Sequence, residues 1–197
     1  MGAMNCLLVA LALFFASPKP TVVTLVTSAG EIDIEVLEKQ APVSSADFLR
    51  YVDKGLYEGA TFYRVVRADN DHGTPKIEVI QGGVPDDKAL PPVEHETTKA
   101  TGIRHTDGTV SLARGKPGTG SGAAFFICIG EQPALDFGGM RNPDGQGFAA
   151  FGRVIRGMDV VRAIQKMPAD GAADSEYMKG QILTKPVVIE KAVRKAH

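Results

Sequence analysis

A chain of 197 residues, 44% hydrophobic and 23% charged, suits one soluble domain with a sizeable core. Its formal net charge of -1 removes any electrostatic case for nucleic acid or anionic lipid as a partner. The 22 glycines and 12 prolines favour short strands and turns over a helical bundle.

Cys6 to Ala16 is an unbroken apolar run, ended by Ser17-Pro18-Lys19-Pro20. It is too short to span a bilayer as a helix but fits the apolar core of a secretory signal. Residues 1–16 are therefore expected to be a signal or N-terminal hydrophobic segment and 17–197 the domain. The expected location is periplasmic or secreted; the alternative is a cytoplasmic protein with this segment packed on the domain. Loss of Cys6 leaves Cys128 without an internal disulfide partner, so Cys128 reads as a small buried hydrophobe.

Thr21 to Ser28 and Glu31 to Glu38 predict a hairpin turning at Ala29-Gly30. Ile32, Ile34 and Val36 alternate with Asp33 and Glu35. Pro42 to Val52 predicts a helix whose apolar face is Val43, Ala46, Leu49 and Val52, with Gly55 as its stop. Thr61 to Arg67 and Lys76 to Gln81 predict strands around a polar loop, Asp69 to Pro75. A long polar stretch runs from Gly82-Gly83 through Asp107. Strands follow at Thr109 to Ala113, Ala123 to Ile129 and Phe148 to Ile155, with a glycine-rich loop at Gly115 to Gly122. Met158 to Met167 predicts a second helix, Asp170 to Thr184 a loop and Pro186 to Val193 the last strand. Eight short strands and two helices without β-α-β alternation point to an antiparallel barrel or sandwich.

Two strands each carry one long polar side chain among apolar neighbours, Arg64 and Gln81. A guanidinium is costly to bury, so Arg64 pairs with a partner or lines a cleft. Phe125 and Phe126 face opposite sides of one strand; one is core and the other is free to floor a pocket. Other chemistries find no carrier. Lys116 is followed by Pro117 and a β-run, not by the Ser/Thr and helix of a phosphate loop. His95 and His105 lie in polar stretches and read as solvated, and no histidine has metal-ligand spacing. Ser121 lacks the strand-to-helix setting of a hydrolase nucleophile, and Asp136 reads as shaping a turn. No cofactor or metal is expected.

The set Phe62-Tyr63-Arg64-Val65-Val66, Ile80-Gln81-Gly82-Gly83, Val110-Ser111-Leu112-Ala113, Phe125-Phe126-Ile127 and Phe151-Gly152-Arg153-Val154 resembles the cyclophilins in order and spacing. Leu135-Asp136 and Gly157-Met158-Asp159-Val160-Val161 extend the match. The resemblance implies a closed eight-stranded antiparallel barrel capped by two helices, and peptidyl-prolyl cis–trans isomerisation to assist protein folding. It gives Arg64 the stabilisation of the twisted transition state and Gln81 the substrate backbone. Phe126 becomes the floor of the proline pocket, Val79, Leu135 and Phe148 its walls, and Ala113 and Arg114 the partners of the extended peptide. The implied partners are proline-containing peptides and folding proteins, and the implied state is a monomer. A proline-peptide-binding or chaperone module with weak turnover is the alternative. A hollow ligand carrier is the third reading, which the bulky Phe125, Ile127, Phe151 and Val154 oppose.

The chain departs from the family pattern at several positions. Tyr63 replaces a common histidine and is expected on the core side. Phe148 stands where histidine or tyrosine is common. Glu78 stands where an aromatic pocket residue is common, so one wall is expected to be altered or supplied by a shifted neighbour. Arg114 replaces an asparagine. Ala134 replaces a tryptophan, which implies weak cyclosporin binding. Ala124 replaces a glutamine that helps order the arginine, so Arg64 is expected to lack one partner.

Overall fold

The computed structural model describes residues 19–195; the expected signal segment, 1–16, lies outside them. The chain runs β1 (Thr21–Thr27), β2 (Gly30–Val36), α1 (Pro42–Asp53), β3 (Thr61–Val66), β4 (Val79–Gly83), β5 (Val93–Glu94), α2 (Thr98–Thr101), β6 (Thr109–Ala113), β7 (Thr119–Cys128), β8 (Ala149–Arg156), α3 (Met158–Gln165) and β9 (Ile182–Arg194). Eight strands follow the order β4-β3-β9-β1-β2-β8-β6-β7, and the β4–β7 pairing closes them into an antiparallel barrel. This is the barrel expected from the sequence. The two-residue β5, on β7, and the single turn α2 are additions within the long polar stretch.

The barrel is filled. Phe62, Phe125, Ile127 and Phe151 are fully buried, and Val154 packs against them half-buried. Phe48 of α1 inserts its ring 4.8 Å from Phe151 and 5.6 Å from Phe125, so the helix and barrel share one core. A second, smaller cluster comprises Val66, Ile77, Val79, Phe126, Cys128, Ala134 and Leu135. Cys128 is buried there, and burial pushes its thiol well up, so it behaves as the small hydrophobe expected.

Several boundaries differ from expectation, each for a physical reason. β4 takes in Gly82 and Gly83 because both pair with β3 and β7, so closely that a Cβ on Gly82 would lie 2.8 Å from the Thr61 carbonyl. β7 begins at Thr119, inside the glycine-rich loop, because Gly120 and Thr119 pair with β5. β9 begins at Ile182, which pairs with Arg64, so the preceding loop is shorter than Asp170 to Thr184. The first hairpin turns at Ser28-Ala29, with Gly30 already paired to Thr27 at a φ of 134°. α1 buries Ser44, Ser45, Asp47, Phe48 and Tyr51 beside Leu49 and Val52, while Val43 and Ala46 of the expected face are exposed.

Polar groups explain that rotation of α1. The Asp47 carboxylate accepts the Gly122 N–H at 2.7 Å. Ala41 offers no side-chain cap, and Glu96 does that work from a distant loop. It accepts the N–H groups of Val43 and Ser44 and the Ser44 hydroxyl. Glu96→Ala is expected to destabilise the fold by about 1–2 kcal/mol, the scale of a lost helix cap, read as a lower urea midpoint at unchanged slope.

Asp33 is a second buried charge on the barrel wall. It accepts from Thr24, Arg156 and Lys195 at 2.6 to 3.1 Å. The Arg156 bond holds its carboxyl well below the usual carboxylate value of 3.8, against burial. A depressed folded pKa gives stability that is present above the unfolded value and lost as pH falls below it. Stability should therefore fall steadily below about pH 4, and Arg156→Gln should flatten that acid limb in pH-dependent urea titrations.

Candidate active site

Three cross-strand pairings place the site. Arg64 on β3 pairs with Gln81 on β4, Gln81 with Phe126 on β7, and Phe126 with Ser111 on β6. One row of side chains thus crosses four strands of the barrel. A bulge sets its first member. Phe62 pairs with Gly82 and Arg64 with Gln81, leaving Tyr63 as the extra residue. Phe62 and Val65 point into the core, whereas Tyr63 and Arg64 are both only half-buried.

Tyr63 is therefore not the core residue expected. Its hydroxyl accepts the Gln81 side-chain N–H at 2.8 Å. Burial raises the phenol above its ordinary value, so it is a neutral group at physiological pH. The other end of the Gln81 amide accepts from Arg64 Nη1 at 2.9 Å. On the opposite flank, Gln181 Oε1 accepts from Arg64 Nε at 2.9 Å and Nη2 at 2.6 Å. Arg64 does not lack a partner for want of a glutamine at position 124: Gln181 supplies one from the end of the last loop.

All eight residues singled out for the site, Arg64, Val79, Gln81, Ala113, Arg114, Phe126, Leu135 and Phe148, line one cleft of about 210 Å³. Phe126, only 5% exposed, forms its floor, and Phe148 meets it edge-on at 5.2 Å. Phe125 is the core member of that pair of rings. Ile77 provides the wall that Glu78 does not; Glu78 instead accepts from Gln165 at 3.0 Å.

Beneath Phe126 lies a buried polar chain. His105 is only 1% exposed, so it is not the solvated residue expected. It bonds Asp136 at 2.8 Å and Ser111 at 3.1 Å, and its ring stacks 5.9 Å from Phe126. Burial pushes the Asp136 carboxyl up, but the hydrogen bonds from His105 outweigh it and leave it below its ordinary value. Serine, histidine and aspartate stand in the order of a hydrolytic triad, yet the serine and histidine are sealed from the cleft by the floor. The chain acts as a support. His95 is half-buried between the Thr119 and Gln146 carbonyls. Among the described residues, no group of three or more His, Cys, Asp or Glu side chains is placed to hold a metal.

Sequence reasoning also missed the far rim, formed by Arg141, Asn142 and Tyr177. Arg141 forms a bidentate pair with Asp71 at 2.7 and 2.8 Å and donates to the Tyr177 hydroxyl at 2.6 Å. Burial pushes the Asp71 carboxyl up, while Arg141 and the N–H groups of Gly73 and Ile77 bring it below its usual value. The Tyr177 ring lies 5.6 Å from the Arg64 guanidinium and 5.9 Å from that of Arg141. Arg114 grips Asp144 with both Nη groups and lies 5.5 Å over Phe148, fixing that wall. None of these contacts has a period that a sequence would display.

A family model described as cyclophilin type peptidyl-prolyl cis-trans isomerase matches residues 22–193. The chain is 34% identical over 182 residues to peptidyl-prolyl cis-trans isomerase A of Dickeya dadantii, covering 90% of this chain and 86% of that protein. It is 35% identical over 175 residues to peptidyl-prolyl cis-trans isomerase cyp18 of Streptomyces antibioticus, covering 86% and 96%. The crystal structure of a Cryptosporidium parvum cyclophilin type isomerase superposes with a TM-score of 0.68 at 19% identity, covering 91% of this chain and 99% of that one. A second structure of that protein, in the presence of the dipeptide Ala-Pro, gives 0.67 at 20% identity, covering 89% and 99%. The likeness to those structures is one of fold, and with the family match it leads to one conclusion: this chain belongs to the cyclophilin-type peptidyl-prolyl cis–trans isomerases.

Proposed function

We propose that the cleft holds an X-Pro segment with the proline ring on Phe126 and the rotating amide beside Arg64. The observation that carries this reading is a guanidinium fixed beside an apolar cup and, among the described residues, paired with no carboxylate. Rotation about the peptide bond meets a barrier of about 18–20 kcal/mol set by amide resonance. No bond to carbon breaks, so neither nucleophile nor metal is needed. Resonance is lost in the twisted state, and the proline nitrogen regains a lone pair. A donor placed on that nitrogen binds the twisted state better than either planar one, which is what lowers a barrier. Arg64 has three N–H groups engaged by the two glutamines and two to spare for the substrate.

The remaining residues position the chain. Val79, Ile77, Leu135 and Phe148 hold the ring, Gln81 faces the substrate backbone, and the open edge at Ala113 and Arg114 receives an extended peptide. By the same resemblance, Ala134 stands where many family members have a tryptophan, so weak cyclosporin binding is expected. We read the protein as a monomer that acts on folding chains, and as exported on the strength of residues 1–16 alone.

Titration of an Ala-Pro peptide into 15N-labelled protein tests the placement. Resonances of Gln81, Ala113, Phe126 and Leu135 should shift together and saturate. Shifts confined to another face of the barrel would move the site elsewhere.

A further inference from the structure

Three arginines line the cleft, and they are held in two different ways. Arg114 and Arg141 each face a carboxylate, Asp144 and Asp71. Arg64 is held by two neutral amides, Gln81 and Gln181. We propose that Gln181 is the residue that positions Arg64 for the reaction, fixing the plane of the guanidinium while leaving its charge unspent. This rests on the role given to Arg64 above.

The geometry is over-determined. Gln181 is 0% exposed. Its Oε1 bridges Nε and Nη2 of Arg64, and its Nε2 donates to the Asn70 carbonyl at 2.7 Å. A guanidinium can only donate and a carbonyl can only accept, so the amide fits in a single orientation. The backbone of Gln181 is tied to the strand that carries Arg64: its carbonyl accepts the Val65 N–H at 2.8 Å. Asn70 closes the ring, donating to the Gly180 carbonyl at 2.8 Å and accepting the Arg67 N–H at 2.7 Å. Gripping Nε and Nη2 fixes rotation about the terminal bonds of the side chain. Gln81 takes one hydrogen of Nη1, so the hydrogens left over are one on Nη1 and one on Nη2. A carboxylate at position 181 would grip more firmly but would draw off the charge that the twisted amide requires.

The test is a cycle of variants in the full chain, measured by proline-peptide isomerisation and by NMR of the Arg64 side chain. Gln181→Met keeps length and removes the acceptor. It should lower kcat about tenfold to a hundredfold, the range of a charge-assisted hydrogen bond, with KM changed less than threefold. In an Arg64→Ala background the same replacement should change the residual rate by less than about twofold, because Gln181 acts only through Arg64. The Arg64 Nε–H signal should be protected from exchange in the wild type and lost in Gln181→Met. If that variant fails to fold, Gln181→Asn, which cannot reach Asn70 and Arg64 together, should show the same kcat loss. An unchanged kcat, or an equal loss with and without Arg64, would overturn the proposal. A wild type that turns over no peptide would instead refute the role of Arg64, while the Nε–H signal would still report the grip of Gln181.

Discussion

Arg64→Ala should lower kcat/KM for a proline peptide by about 10²–10³, the cost of removing a donor aimed at charge that develops in a transition state. Most of the loss should fall on kcat, since Phe126, Leu135, Val79 and Phe148 still bind the ring. Arg64→Lys is the more informative partner. Lysine keeps the charge but not the planar fork, and it cannot reach Gln81 and Gln181 at once. It should recover part of the loss without approaching the wild type. A lysine variant with full activity would mean that charge alone suffices and that the fixed plane of the guanidinium is irrelevant. An alanine variant that loses only affinity would turn the cleft into a binding groove.

Arg141→Leu should be the most damaging single change to stability near the cleft, at about 3–5 kcal/mol, the cost of leaving a buried charge without its partner. The Asp71 and Arg141 side chains are almost completely buried. The corresponding fall in melting temperature is on the order of 10 °C for a chain of this size. The pH dependence has a definite sign. With Arg141 present, the Asp71 carboxyl lies below its usual value, and its contribution is lost as pH falls. Without Arg141 that lowering is weakened, leaving burial opposed only by the N–H groups of Gly73 and Ile77, so the variant has less of this acid-labile contribution to lose. The deficit should therefore shrink toward acid pH. Asp71→Asn combined with Arg141→Leu should recover part of it, because the stranded charge is gone. Asp71 also accepts the Ile77 N–H at 2.8 Å, so a displaced Ile77 wall should raise KM in Arg141→Leu. A deficit under 1 kcal/mol at neutral pH would mean that the pair is solvated.

The barrel and the centre of the site were legible because strand residues obey a period. Arg64 and Gln81 stood out as lone polar groups in apolar runs, and the sheet makes them direct neighbours. The two rings at 125 and 126 had to part to opposite faces, but only the packing of Phe48, Tyr57 and Phe62 on one side decides which is core. Tyr63 was misplaced because strict alternation fails at a bulge, and a bulge arises from pairing with a partner strand far away in sequence. His105 reads as solvated and Asp71 as part of a polar loop because their stretches are so polar, yet each side chain is buried against a partner distant in sequence. Gln181 and Tyr177 belong to an irregular loop, where no periodicity says which side chain turns inward. Their contacts with Arg64 span more than 110 residues of chain. The polar face of α1 has the same origin, since Glu96 and Gly122 are distant in sequence from the helix they orient.

The most direct measurement is exchange spectroscopy on a peptide containing one Ala-Pro bond, with the protein at a small fraction of the peptide concentration. Uncatalysed exchange takes tens to hundreds of seconds, so cis and trans signals do not communicate on the timescale of the experiment. Cross-peaks between the two forms should appear with the wild type and vanish with Arg64→Ala. Peptide that binds and saturates the cleft of the wild type without any cross-peak would contradict catalysis by a fixed guanidinium.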